Sequence, residues 1–172
     1  MKCPSSEGEG LGIATVGLHP PRSAYLPRGP DAMAAPMLTL SCLCGQSRID
    51  LAKRPDFVHE CNCTLCSKSG ARWGYFHPSE VTVEGEHNGY SRSDKADPAA
   101  EIRFCPTCGV TTHFVLTPGA VAKFGNSLMG VNMGLAPDNA LAGIELRYPD
   151  GATWPGEGDF TYLRPARIFG AA

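Results

Sequence analysis

Seven of the chain's eight cysteines fall between Cys42 and Cys108 in three tight clusters, and this grouping constrains the fold more than any other feature. An odd number cannot be consumed by disulfide pairing within the segment, and clustered thiols in a reducing compartment point to metal ligation. The clusters read Cys42-Leu43-Cys44-Gly45, Cys61-Asn62-Cys63-Thr64-Leu65-Cys66 and Cys105-Pro106-Thr107-Cys108-Gly109. Cysteines two apart on an extended strand face one side, so Cys42 and Cys44 can reach a single ion, whereas a disulfide across one residue would be strained. Pro106 and Gly109 shape a tight turn that aims Cys105 and Cys108 at one cation, with backbone N–H groups free to donate to the sulfurs.

Two cysteine pairs from distant segments are the usual way to enclose Zn²⁺ with four sulfurs at about 2.3 Å. Cys42, Cys44, Cys105 and Cys108 supply such a set, and it would staple the opening strand to one much later in the chain. Cys61, Cys63 and Cys66 then stand apart as a second set. Three protein ligands leave one coordination position for water or an incoming thiolate, which is what separates a catalytic zinc from a structural one.

The rest of the chain is organised around these clusters. Residues 1–36 hold 6 of the 15 prolines and 5 of the 20 glycines with little apolar periodicity, and they read as a flexible N-terminal extension or an upstream start, with Cys3 a bystander. Met37 opens a domain running to residue 172, in which short β-like runs are broken by Gly, Pro, Asn and Asp. The expected strands are Leu38 to Cys42, Ser47 to Leu51, Phe57 to Glu60, Arg72 to Phe76, Val81 to Glu84, Glu101 to Phe104, Thr111 to Val115, Val121 to Phe124 and Ile144 to Tyr148. Helix is confined to single turns at Thr64 to Ser69 and Pro78 to Glu80, and Pro149-Asp150-Gly151 is a tight turn. The expectation is a small, mainly β, zinc-stapled domain with little helix.

The three clusters together, as C-L-C-G, C-N-C-T-L-C-S-K-S-G-A and F-C-P-T-C-G in that order, resemble the glutathione-dependent formaldehyde-activating family, whose domain also occurs in centromere protein V. The resemblance covers Met37 to about Arg164. It implies the family's tent-like β-sheet fold, with a structural zinc on Cys42, Cys44, Cys105 and Cys108 and a catalytic zinc on Cys61, Cys63 and Cys66. The implied activity is the reversible joining of glutathione, as co-substrate, to formaldehyde, giving S-hydroxymethylglutathione by carbon–sulfur lyase chemistry. Shared family does not fix the substrate.

Other residues bear on whether the second site is open. His59 lies in an H-x-C-x-C stretch that on a strand would share a face with Cys61 and Cys63, so it is the rival fourth ligand. His113 reads as a supporting or packing residue, and His77 and His87 as loop residues. Lys68, Arg72 and Arg103 are the basic residues nearest the clusters in sequence and candidate anchors for the carboxylates of glutathione, although a solvated β surface explains each one singly. Asn62 and Thr64 suit either hydrogen bonding to substrate or turn formation. Trp73, Tyr75 and Phe76 are most simply core and sheet-surface aromatics, with a pocket wall as the alternative.

Composition narrows the partners. Lys and Arg total 15 against 17 Asp and Glu, a formal charge of −2, and seven thiolates with two Zn²⁺ would lower that to −5. A nucleic-acid zinc ribbon is therefore disfavoured. No apolar run is long enough for a membrane span and no secretory leader is evident, so the expected location is the cytoplasm. An enzyme on small thiols and aldehydes competes with a non-catalytic zinc-stabilised binding module; oxidation of an unmetallated cysteine trio is a third option.

Overall fold

The computed structural model describes residues 37–156 and 158–170. The extension expected over residues 1–36, with Cys3, lies outside the described residues.

Alternation of apolar and polar side chains builds the first sheet. In β1 (Leu38–Ser41) and β2 (Arg48–Leu51), Leu40, Ile49 and Leu51 point inward and are buried, while Thr39 and Asp50 pair by a hydrogen bond on the outer face. The two strands form an antiparallel hairpin with Leu38 opposite Leu51, and β5 (Val81–Glu84) adds to β2. The second sheet has eight strands in the order β11-β10-β3-β4-β9-β8-β7-β6. Its members are β3 (Phe57–His59), β4 (Trp73–Phe76), β6 (Asn88–Ser91), β7 (Ala100–Phe104), β8 (Thr111–Leu116), β9 (Met129–Asn132), β10 (Glu145–Arg147) and β11 (Arg167–Ile168). All its pairings are antiparallel except β10 on β3. The chain is mainly β, as its pattern of short strands predicts.

One face of the small sheet packs against the large one. Leu40, Ile49 and Leu51 meet Val58, Phe76, Val131, Met133, Leu141, Leu146 and Phe169 in the main core, and truncating one such side chain typically costs about 2–5 kcal/mol. A second, smaller cluster of Ala71, Trp73 and Ile102, with Leu65, Tyr75 and Phe114 against it, lies next to the three-cysteine loop. Period-two alternation in β4 divides its residues between the two: Phe76 enters the main core, whereas Trp73 and Tyr75 face the second cluster.

Helix is short. α1 (Thr64–Ser69) starts on Cys63, whose sulfur accepts from the Cys66 N–H, and ends at Gly70 with φ 64°, a left-handed cap that glycine adopts without a Cβ penalty. Pro78–Glu80 is one 3-10 turn with a capping box on His77, and Met133–Leu135 and Asp138–Leu141 are two more. The strand expected at Val121 to Phe124 is instead the second half of α2 (Pro118–Phe124). Thr117 caps that helix through its hydroxyl and Pro118 sits at the first helical position, where its missing N–H costs nothing. Three strands, β6, β9 and β11, lie where no strand was expected from the sequence, and β6 and β9 each carry a glycine in the interior.

Candidate metal centre

Both halves of the four-cysteine set are hairpin tips. Cys42, Leu43 and Cys44 turn between β1 and β2, not along an extended strand as expected from their spacing. Gly45, at φ 80°, closes this turn by donating its N–H to the Cys42 carbonyl. Cys105 to Cys108 form the equivalent tip between β7 and β8, closed by the Gly109 N–H on the Cys105 carbonyl, with Gly109 at φ 72°. One tip thus comes from each sheet, and an ion shared there would tie the two sheets together.

The sulfur geometry suits a single ion. Cys42 and Cys44 sulfurs are 3.4 Å apart, Cys44 and Cys105 are 3.6 Å apart, and all four ligand atoms lie within 4.8 Å of one another. Bonds of about 2.3 Å at the tetrahedral angle would separate sulfurs by about 3.8 Å, and the Cys42–Cys44 and Cys44–Cys105 separations are within a few tenths of an ångström of that. The Ser47 N–H donates to the Cys42 sulfur at 3.2 Å, which favours the thiolate. For Cys105, burial works against the thiolate, but N–H donors from Cys108 and Thr107 bring its pKa down to about 6.

The second set draws its sulfurs from different elements. β3 ends at His59, so Cys61 lies on the following loop, Cys63 is the cap of α1 and Cys66 is in its first turn. These three sulfurs also lie within 4.8 Å of one another. N–H groups hold them as acceptors: Cys63 N to Cys61 at 3.4 Å, Cys66 N to Cys63 at 3.5 Å, and the Trp73 indole N–H to Cys66 at 3.3 Å. Cys63 carries the charge most readily, its pKa lowered to about 2 by the neighbouring Cys61 and then Cys66 thiols, whereas those same contacts push Cys66 far up.

His59 is not part of this ligand set. Its Nδ1 is 3.2 Å from the Tyr75 hydroxyl, and its Nε2 is buried without a partner. Burial, and then the nearby Arg147, lowers its pKa to about 4, so the ring is neutral at pH 7. Among the described residues the trio therefore offers three clustered ligand atoms and the other set four.

A turn far along the chain presses against the trio. Asn62 donates to the Asp150 carboxylate at 2.7 Å and accepts from the Ala152 N–H at 2.9 Å, so its side chain secures a turn at residues 151–153, two residues later than the expected Pro149-Asp150-Gly151 turn because Pro149 bridges to Tyr162. Gly151 then lies so close that a Cβ there would sit 2.4 Å from the Cys61 sulfur. Asn132 has a comparable role on the other side, accepting from the N–H groups of Arg72 and Gly134 and donating to the Thr111 carbonyl.

Two cavities adjoin the trio and share Cys61 and Cys66 in their walls. A wide, open one of about 530 Å³ is bordered by Cys61, Cys66, Asn62, Glu60, Arg72 and Arg164. Arg72 pairs with Glu60 at 3.1 Å, and Arg164 lies 3.5 Å from Glu60 and over the Tyr148 ring. Of the three basic residues singled out in the sequence, only Arg72 reaches this rim. Lys68 is exposed on α1, and Arg103 pairs with Glu101 on β7. Arg164 carries no local sequence signal for the site, because it is nearly a hundred residues from the middle cysteine cluster.

The smaller cavity, about 180 Å³, includes all three cysteines together with His59, Trp73, Tyr75 and Phe114. Cross-strand register assembles it: Tyr75, Gly130, Phe114 and Ile102 lie directly opposite one another on β4, β9, β8 and β7, and His59 lies opposite Trp73. Gly130 is required there, since a Cβ would fall 1.9 Å from the Phe114 ring. Trp73 and Tyr75 are thus pocket wall as well as packing, whereas Phe76 is core.

Taken together these features define a mainly β protein with two cysteine clusters shaped to hold metal ions, one enclosed by hairpin tips and one beside a cleft. Residues 37–143 match the glutathione-dependent formaldehyde-activating enzyme family, and the chain belongs to that family. A crystal structure of a Rhodobacter sphaeroides protein is similar at 24% identity over 57% of this chain and 86% of that one, with a TM-score of 0.45. The search of curated proteins returned no match.

Proposed function

We propose that the chain is a zinc-dependent enzyme that joins a glutathione-type thiol to a small aldehyde and also splits the adduct, a carbon–sulfur lyase reaction. The contrast between the two cysteine sets carries this reading: four clustered sulfurs suit the enclosure of one ion, whereas the set of three lies beside two cavities, with Cys61 and Cys66 in the walls of both, and would leave a ligand position for substrate. A zinc bound by Cys61, Cys63 and Cys66 would supply a Lewis-acid position that favours the anionic form of an incoming thiol.

The chain's own groups do the rest. Indole and backbone N–H donors from Trp73, Cys63 and Cys66 orient the three sulfurs and would favour their thiolate form once a metal is bound. The wide cavity falls in the size range of about 300–1,000 Å³ typical of small-molecule sites, and Arg72 and Arg164 on its rim match the carboxylates of glutathione. In the forward reaction the thiol sulfur bonds to the aldehyde carbon, the C=O becomes C–O, and the thiol proton ends on that oxygen. Seven unpaired cysteines among the described residues suit a reducing cytoplasm, where we place the protein.

The test is exchange NMR of glutathione and formaldehyde with the zinc-loaded protein. Exchange should be accelerated by the wild type and not by a folded Cys63→Ser variant; equal acceleration by both would refute the role of the trio.

A further inference from the structure

The smaller cavity is larger and more apolar than formaldehyde requires. Formaldehyde has one carbon and one oxygen, whereas this space of about 180 Å³ is walled by Trp73, Tyr75, Ile102, Phe114, Trp154 and Phe160. An apolar cavity of about 150 Å³ in a protein stays dry and accepts a benzene ring. A hydrated one-carbon substrate would leave most of this wall uncovered, which is a poor use of buried aromatic surface.

The polar groups in the wall narrow the fit. The Trp73 N–H is engaged by the Cys66 sulfur, and the Tyr75 hydroxyl is engaged by His59 Nδ1. His59 is 5% exposed, and its Nε2 has no partner. An apolar chamber beside three thiols matches a molecule that carries a hydrocarbon group and a sulfur on the same carbon. The thiohemiacetal of an apolar aldehyde is such a molecule. Part of the wall, Trp154 and Phe160, also lies beyond the stretch that matches the family, so the chamber is completed by residues outside that match.

We infer that the apolar chamber beside Cys61, Cys63 and Cys66 is a subsite for an aryl or branched-alkyl group, so that the preferred substrates are thiol adducts of apolar aldehydes rather than of formaldehyde. This inference rests on the thiol–aldehyde reading above. It specifies that the hydrocarbon group occupies the chamber and the thiol portion extends into the wide cavity. The C–S bond forms and breaks at the junction, and the atoms balance as in the formaldehyde reaction.

The chain's only two tryptophans, Trp73 and Trp154, both line the chamber, so intrinsic fluorescence reports its occupancy without turnover. The zinc-loaded full chain is titrated with S-benzylglutathione and with S-methylglutathione, stable analogues that differ only in the group proposed to enter. S-benzylglutathione should bind at least tenfold more tightly, and Ala100→Leu, which adds bulk at a residue of the chamber wall, should erase that preference while leaving S-methylglutathione affinity unchanged. Phe160→Ala, on a partly exposed loop, should also reduce the preference and serves if Ala100→Leu does not fold. Equal affinities in the wild type, or a preference untouched by both variants, would overturn the inference. Exchange assays with benzaldehyde and formaldehyde run in parallel. Turnover of formaldehyde with no benzyl preference sinks the subsite alone, whereas benzyl preference without turnover of either aldehyde supports the subsite and sinks the lyase reading.

Discussion

Replacing Gly151 by alanine should remove one metal ion and spare the other. The added Cβ would lie 2.4 Å from the Cys61 sulfur and 3.2 Å from the Cys63 Cβ, against a comfortable separation of about 3.5–4.0 Å. More than 1 Å must be found. The turn that carries Gly151 is held by the Asn62 bonds to Asp150 and Ala152 and by the Asp150 N–H on the Thr161 carbonyl at 2.8 Å. Cys61 lies on an irregular loop, so the sulfur is the partner that gives way. Metal–ligand distances tolerate only about 0.2 Å, so a displacement of this size amounts to losing a ligand. Disturbing groups that merely orient a ligand already costs about 10–100-fold in affinity, and the loss here should be at least a hundredfold, or about 2.7 kcal/mol. Zinc titration against a chromophoric chelator, with native mass spectrometry to count ions, should show one site at wild-type affinity and one weakened by that factor. Two sites of unchanged affinity would refute the reasoning.

Other consequences follow from the packing around the site. Asn132→Ala would strip partners from the Arg72 and Gly134 N–H groups and the Thr111 carbonyl, and chemical denaturation should report a loss of about 3 kcal/mol or more. Gly130→Ala should cost about 1–3 kcal/mol by displacing the Phe114 ring, and the cost should vanish in a Phe114→Ala background; additive effects in that double-mutant cycle would show that the ring is not what the methyl meets. His113, stacked edge-on with His87, has its pKa lowered to about 3 by burial, then by His87 and Arg103. The unfolded chain therefore binds the extra proton first, so stability contributed by the neutral ring is complete above pH 6.5 and declines toward pH 3, by on the order of 5 kcal/mol. Unfolding curves of the wild type and His113→Gln over that range should differ in slope, the variant falling less steeply as pH drops, and parallel slopes would contradict the assignment.

The parts of this architecture visible in the sequence are those set by local rules. Cysteine spacing placed the ligand sets, and the stretch from Thr64 to Ser69 reads as a helical turn because the cysteines at its start are three apart and a glycine ends it. Tertiary context hid the rest. β9 carries Gly130 at its middle, which weakens any strand signal, yet the glycine is there because an aromatic ring from β8 lies across it. Val121 and Phe124 are three apart, a helical spacing, and Thr117-Pro118 marks the helix start, so the signal for α2 was present and was outweighed by the β-branched and aromatic composition. Cys42 and Cys44 converge through a turn because Gly45 follows them, a cue as readable as the two-residue spacing. Arg164, Trp154 and Phe160 reach the site only through the return of the chain past residue 148, which no local pattern announces.

The most direct test of a closed site beside an open one is the visible spectrum of the protein loaded with two Co²⁺ per chain, recorded as glutathione is added. One of the two cobalt ions should change its ligand-field bands with a stoichiometry of one thiol per chain, while the other stays as a four-thiolate centre. A spectrum in which neither ion responds, or both do, would contradict the account.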